Sequence, residues 1–112
     1  RFVDEFPSSQ FGVVLEVGHL YQKGLSPVRA IELFSERLFD VHVHDATREE
    51  DFRKATHLPI GEGEIDFQAV VTCLRRAGYC GFLTLEVRGS MSEVVESKKR
   101  LEEIVGLGED AS

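Results

Sequence analysis

Three short runs dominate this chain: Leu15-Glu16-Val17-Gly18-His19, Val41-His42-Val43-His44-Asp45 and Leu83-Thr84-Leu85-Glu86-Val87. Each is apolar and largely β-branched, and each contains or ends in a carboxylate or an imidazole. The intervals between them suit a strand, helix, strand succession. Strands buried on both faces, with polar groups gathered at their C-terminal ends, make a parallel sheet. Side by side, three such ends would bring Glu16, His19, His42 and Glu86 around one point. Carboxylate oxygen with imidazole nitrogen is a donor set for a divalent transition metal.

The segments between the runs read as helices. Phe11 to Val17 predicts the first strand, closed by Gly18. Ser26-Pro27 opens a helix, Ser26 capping it and Pro27 at the first position, where its lacking N–H is harmless. Ile31, Phe34 and Leu38 follow at helical spacing, and Leu38 to His44 predicts the second strand. A polar loop from Asp45 to Glu64 is long enough to be functional. Asp66 caps the next helix, whose Phe67, Val70, Val71, Leu74 and Ala77 form one stripe and which Gly78 ends. Gly81 to Val87 predicts the third strand. Ser90 and Glu93 form a capping box for a last helix expected to bury Val94, Val95, Leu101, Ile104 and Val105 and to stop at Gly106. Residues 1–10 read as the remnant of a preceding helix and 106–112 as a polar tail. The order is βα three times, with right-handed crossovers that make neighbouring strands parallel.

A chain of 112 residues holds one domain, residues 1–112. It starts at Arg1 without a methionine, as a piece of a longer protein would. Twenty Asp and Glu against thirteen Lys and Arg give a net charge of −7, which weighs against a surface for nucleic acid. Cys73 and Cys80 are too few for a disulfide framework and are expected to be reduced thiols in a cytoplasmic protein. No apolar run approaches a membrane span, and no signal peptide is evident.

The motifs together resemble the xylose-isomerase-like TIM-barrel superfamily, which holds sugar isomerases and epimerases and the endonuclease IV type of apurinic-site nucleases. The resemblance rests on Glu16 with His19, His42 with Asp45, the loop His57-Leu58-Pro59-Ile60-Gly61-Glu62-Gly63, and Leu85-Glu86. It runs from about Phe11 to Val105. It implies an α/β fold whose three βα units correspond to the last three of a (β/α)8 barrel. A full barrel takes about 200 residues or more, so the barrel is expected to be incomplete.

The resemblance also implies roles. Glu16 stands where the family usually places a metal-binding Asp, His42 matches its metal-binding His, and Glu86 matches a carboxylate that both binds metal and exchanges a proton with substrate. His44 shares the face of His42 and is expected to line the pocket. The counterpart of His19 is a ligand in the nucleases and touches substrate in the epimerases. His57 and Arg88 are further candidates for substrate, Arg88 equally as an ion-pair partner of Glu86. The nucleases carry Asp-x-His where this chain has Ala55-Thr56-His57.

The implied function is a sugar or sugar-phosphate isomerase or epimerase using Mn²⁺, Mg²⁺, Zn²⁺ or Co²⁺, inactive without further strands. The alternatives are an apurinic-site nuclease fragment and a non-catalytic assembly module. An open sheet whose free face is lined by Val14, Leu83 and Leu85 is expected to drive a homo-oligomer, or a complex with the complementary half-barrel.

Overall fold

A computed structural model describes residues 12–110. The helical remnant expected at residues 1–10 lies outside them. Strand β1 (Val13–Glu16) leads directly into helix α1 (Val17–Gln22). Helix α2 (Pro27–Phe34) and a 3-10 turn (Ser35–Arg37) precede β2 (Leu38–Val43). The long loop holds a short helix α3 (Phe52–Ala55), and α4 (Phe67–Arg76), β3 (Phe82–Leu85) and α5 (Met91–Asp110) follow. The three strands form one parallel sheet in the order β1-β2-β3, open at both edges. Among the described residues no helix is long and apolar enough to cross a membrane.

The helix starts are chemically specified. Ser26 Oγ accepts from the Arg29 N–H at 3.2 Å, and Asp66 Oδ1 accepts from the Ala69 N–H at 3.0 Å. Ser90 and Glu93 exchange hydrogen bonds at 2.9 and 3.2 Å, the reciprocal geometry of a capping box. Helix α4 ends before Gly78, whose φ of +73° is one that an L side chain rarely adopts.

Alternation along the strands sorts the sheet into two faces. Leu15, Val41 and Val43 are buried against Ile31 of α2, Phe67, Val70 and Leu74 of α4, and Leu101 of α5. Each such side chain contributes roughly 1.5–3 kcal/mol on leaving water. Leu83 and Leu85 pack against this same core. They therefore belong to the helix-covered face, not to the free one as expected, because their register partners are Val41 and Val43. The free face carries cross-strand rows instead: Val14, Asp40 and Phe82, then Glu16, His42 and Thr84. Much of it is polar, so the apolar drive for assembly is smaller than the sequence suggested. Phe82, 81% exposed, and Val14 remain apolar on that face.

Helix α5 also departs from expectation, continuing through Gly106 to Asp110. A glycine inside a helix costs only about 1 kcal/mol relative to Ala, and the Arg75 side chain of α4 donates to the Val105 carbonyl at that turn. Val95 is 44% exposed and lies off the buried stripe. Cys73 and Cys80 are both free thiols.

Candidate metal centre

The C-terminal ends of the strands gather four imidazoles and two glutamates. Glu16 is the last residue of β1, and the chain turns straight into α1, so His19 stands on a helix. Val17 and Gly18 are buried at this turn. Gly18 is required by close approach, since a Cβ built on it would fall on the His44 ring. His42 lies in β2, His44 follows it, and Glu86 follows β3 with its N–H donated to the Val43 carbonyl at 2.9 Å.

His42 and His44, two residues apart, have different surroundings. His42 Nδ1 lies 2.6 Å from Glu16 Oε1 and 3.2 Å from Glu86 Oε1, while its Nε2 lies 3.2 Å from Asp40 Oδ2. Both ring nitrogens thus face carboxylates. Burial pulls the His42 pKa down, but the hydrogen bond and charge of Glu16, with Glu86 and Asp40 behind, leave it raised above the usual histidine value.

His44 is fully buried. Its Nδ1 accepts the His57 backbone N–H at 2.8 Å, which turns Nε2 toward Glu16 Oε2, 3.6 Å away. Neither His44 Nε2 nor Glu16 Oε2 has a hydrogen-bond partner, although both are buried. Burial, and then the neighbouring imidazoles of His57 and His19, lower the His44 pKa to about 4. The ring is therefore neutral at physiological pH, with its proton on Nε2 while Nδ1 accepts, and that proton must leave or move to Nδ1 before Nε2 can hold a metal.

His57 stacks on His44 with ring centroids 4.1 Å apart and planes inclined by 8°. Its φ is +58°, a left-handed backbone in a residue other than glycine. Its Nδ1 lies 2.9 Å from the Glu86 carbonyl, to which it can only donate. Its Nε2 lies 3.1 Å from His19 Nε2, so the two rings share a hydrogen bond. Phe52 of α3 covers His19 edge-on at 4.9 Å. The Arg88 guanidinium donates to the Arg53 carbonyl. A depression of about 300 Å³ lined by His57, Glu86, Val87 and Arg88 opens beside the cluster.

Two residues central to the geometry were not singled out for it by sequence. Asp45, 1% exposed, accepts from the backbone N–H groups of Ala46, Gly61, Gly63 and Ile65 at 2.9–3.1 Å and so shapes the loop that carries His57. Asp40 shares the face of His42 and contacts it. Its signal was the polar alternation at positions 40, 42 and 44, since side chains two apart along a strand share a face.

Among the described residues, two groups bring three donor atoms within 4.8 Å of one another: Glu16, His44 and Glu86, and His19, His44 and His57. At metal–ligand distances of about 2.0–2.2 Å and tetrahedral angles, donors on one ion stand roughly 3.3–3.6 Å apart. The 3.6 Å between His44 Nε2 and Glu16 Oε2 fits that spacing, whereas the 2.6 Å between His42 Nδ1 and Glu16 Oε1 is a hydrogen bond.

The chain matches the family described as the xylose isomerase-like TIM barrel over residues 1–104. An uncharacterised protein of Methanocaldococcus jannaschii is 31% identical over 106 residues, which cover 92% of this chain and 34% of that protein. A crystal structure of a D-tagatose 3-epimerase-like protein is similar with a TM-score of 0.80 and 27% identity, over 97% of this chain and 40% of its own. A xylose isomerase domain protein from Alicyclobacillus acidocaldarius gives a TM-score of 0.69 and 24% identity, over 88% of this chain and 38% of its own. This chain thus spans 34–40% of the length of these relatives. Its open three-stranded sheet, ending in this cluster of carboxylates and imidazoles, is part of such a barrel, and the chain belongs to the xylose isomerase-like TIM barrel family.

Proposed function

We propose that this chain supplies part of the active site of a divalent-metal-dependent sugar isomerase or epimerase, within a complete barrel to which it contributes three strands. The observation that carries the reading is the pair of buried, unpartnered atoms, Glu16 Oε2 and His44 Nε2, facing each other beside Glu86. Glu16, His44 and Glu86 would hold the ion. His44 thereby takes the ligand role that the sequence suggested for His42, because both nitrogens of His42 are engaged by carboxylates. A bound divalent ion would polarise a sugar carbonyl and its neighbouring hydroxyl. Glu86 exchanges the proton on the adjoining carbon, its oxygen being held near His42. His19 and His57 present a hydrogen-bonded pair of rings at the rim, and Arg88 borders the depression where a hydroxyl or phosphate would sit. The D-tagatose 3-epimerase-like neighbour supports the sugar class of substrate.

The test is Glu86→Gln in a complete barrel carrying this segment. The amide keeps the shape but cannot take a proton, so exchange of the substrate carbon-bound hydrogen with solvent deuterium should cease while metal binding weakens only in part. Undiminished exchange would remove Glu86 from the mechanism. An apurinic-site nuclease would use the His19, His44 and His57 group for a further ion, but Ala55 leaves no carboxylate two residues before His57. Cleavage of abasic DNA would decide for that second reading.

A further inference from the structure

We propose that His42 and Asp40 are positioning residues that orient the Glu16 and Glu86 carboxylates for the ion without touching it; this rests on the metal reading above. On the free face of the sheet a hydrogen-bonded chain crosses all three strands. Thr84 Oγ1 of β3 donates to Asp40 of β2, with oxygens at 2.9 and 3.1 Å. Asp40 Oδ2 accepts from His42 Nε2 at 3.2 Å, and His42 Nδ1 donates to Glu16 Oε1 of β1 at 2.6 Å.

A carboxylate is planar and rigid, so holding one oxygen aims the other. With Oε1 of Glu16 held by His42, Oε2 is the oxygen directed at His44 Nε2. The same His42 nitrogen lies 3.2 Å from Glu86 Oε1, so one ring reaches both carboxylates. Asp40 fixes the plane of that ring, and Thr84 fixes Asp40. Outer-shell partners of this kind are worth about 10–100-fold in metal affinity.

The experiment measures Mn²⁺ and Co²⁺ binding by the chain and by Asp40→Asn, His42→Gln, Thr84→Val and His44→Ala, each checked for its thermal midpoint. Asp40→Asn and His42→Gln should weaken binding by about 10–100-fold, with the cobalt absorption spectrum at saturation unchanged because the donor set is intact. His44→Ala should both lose more affinity and change the spectrum. Unaltered affinity in Asp40→Asn would overturn the proposal. So would a His42→Gln spectrum that changes as His44→Ala does, since that would make His42 a ligand. If His42→Gln fails to fold, Asp40→Asn and Thr84→Val carry the test. A wild-type chain that binds neither ion overturns the metal reading itself. The hydrogen-bonded chain is judged separately, in metal-free protein: ring ¹⁵N shifts of His42 that do not respond to Asp40→Asn would refute it.

Discussion

His44 Nε2 and Glu16 Oε2 lie 3.6 Å apart, both buried and both without a hydrogen-bond partner. Buried polar atoms left unsatisfied cost about 1–3 kcal/mol each, so two of them facing one another mark a place built for something else. If that is an ion, His44→Ala should reduce Mn²⁺ or Co²⁺ affinity by more than about a hundredfold, beyond the effect of an outer-shell change. Calorimetric titration showing similar affinity in the variant would eliminate His44 as a ligand.

The His57 N–H held by His44 Nδ1 implies a second observable. With Nδ1 accepting, the neutral ring carries its proton on Nε2, the atom facing Glu16. An ion at Nε2 has to remove or relocate that proton, and the His57–His44 hydrogen bond must weaken as it does. The His57 amide proton should therefore shift upfield and exchange faster when diamagnetic Zn²⁺ is added. An amide signal indifferent to saturating Zn²⁺ would place the ion elsewhere.

Acid should act through the same ring. The folded His44 titrates at about 4, against 6.5 unfolded. Between those values the unfolded chain binds a proton that the folded chain refuses, so stability falls as pH drops from 6.5 through 4. The full loss is on the order of 3 kcal/mol. His42 has the opposite sign, because its folded pKa is raised: its contribution is complete below 6.5 and fades as pH rises through the folded value. Urea unfolding at pH 7 and pH 4 should show the stability gap between the chain and His44→Gln narrowing at the lower pH. A gap of constant size would contradict the low pKa.

Gly18→Ala places a methyl group where the His44 ring sits. Overpacking of this kind costs about 1–3 kcal/mol, and here the atom that must move is a candidate ligand. A fall in thermal midpoint together with weakened metal binding is expected. A variant as stable as the parent, with full metal affinity, would show that the ring moves aside freely.

Asp45→Ala strips four backbone N–H groups of their acceptor. Hydrogen bonds to a charged group contribute about 1.5–3 kcal/mol each, and only exposed Gly61, with half-buried Gly63 and Ile65, can recover part of that from water, Ala46 being buried. A loss of at least about 3 kcal/mol is expected by urea unfolding, with faster amide exchange confined first to residues 57–65. Uniform acceleration across α4 and β3 would mean that Asp45 supports the whole fold and not the loop.

Local chemistry alone determined the helix starts at Ser26, Asp66 and Ser90, because a cap is an interaction between residues three apart. The parallel βα order was likewise legible, since buried strands and amphipathic helices differ in period. From that order the sequence placed Glu16, His19, His42 and Glu86 at the C-terminal ends of the strands. Tertiary structure decided what the sequence left even. His42 and His44 share a strand face, but only the fold puts Asp40 and Glu16 against one and the His57 backbone against the other. The face assigned to Leu83 and Leu85 depended on pairing with Val41 and Val43, and a one-residue difference in register reverses a strand. The loop expected from Asp45 to Glu64 gained its order from Asp45, whose partners lie 16 to 20 residues away for three of its four bonds. Contacts at that separation leave no periodicity to read. They exist only once the chain has closed on itself.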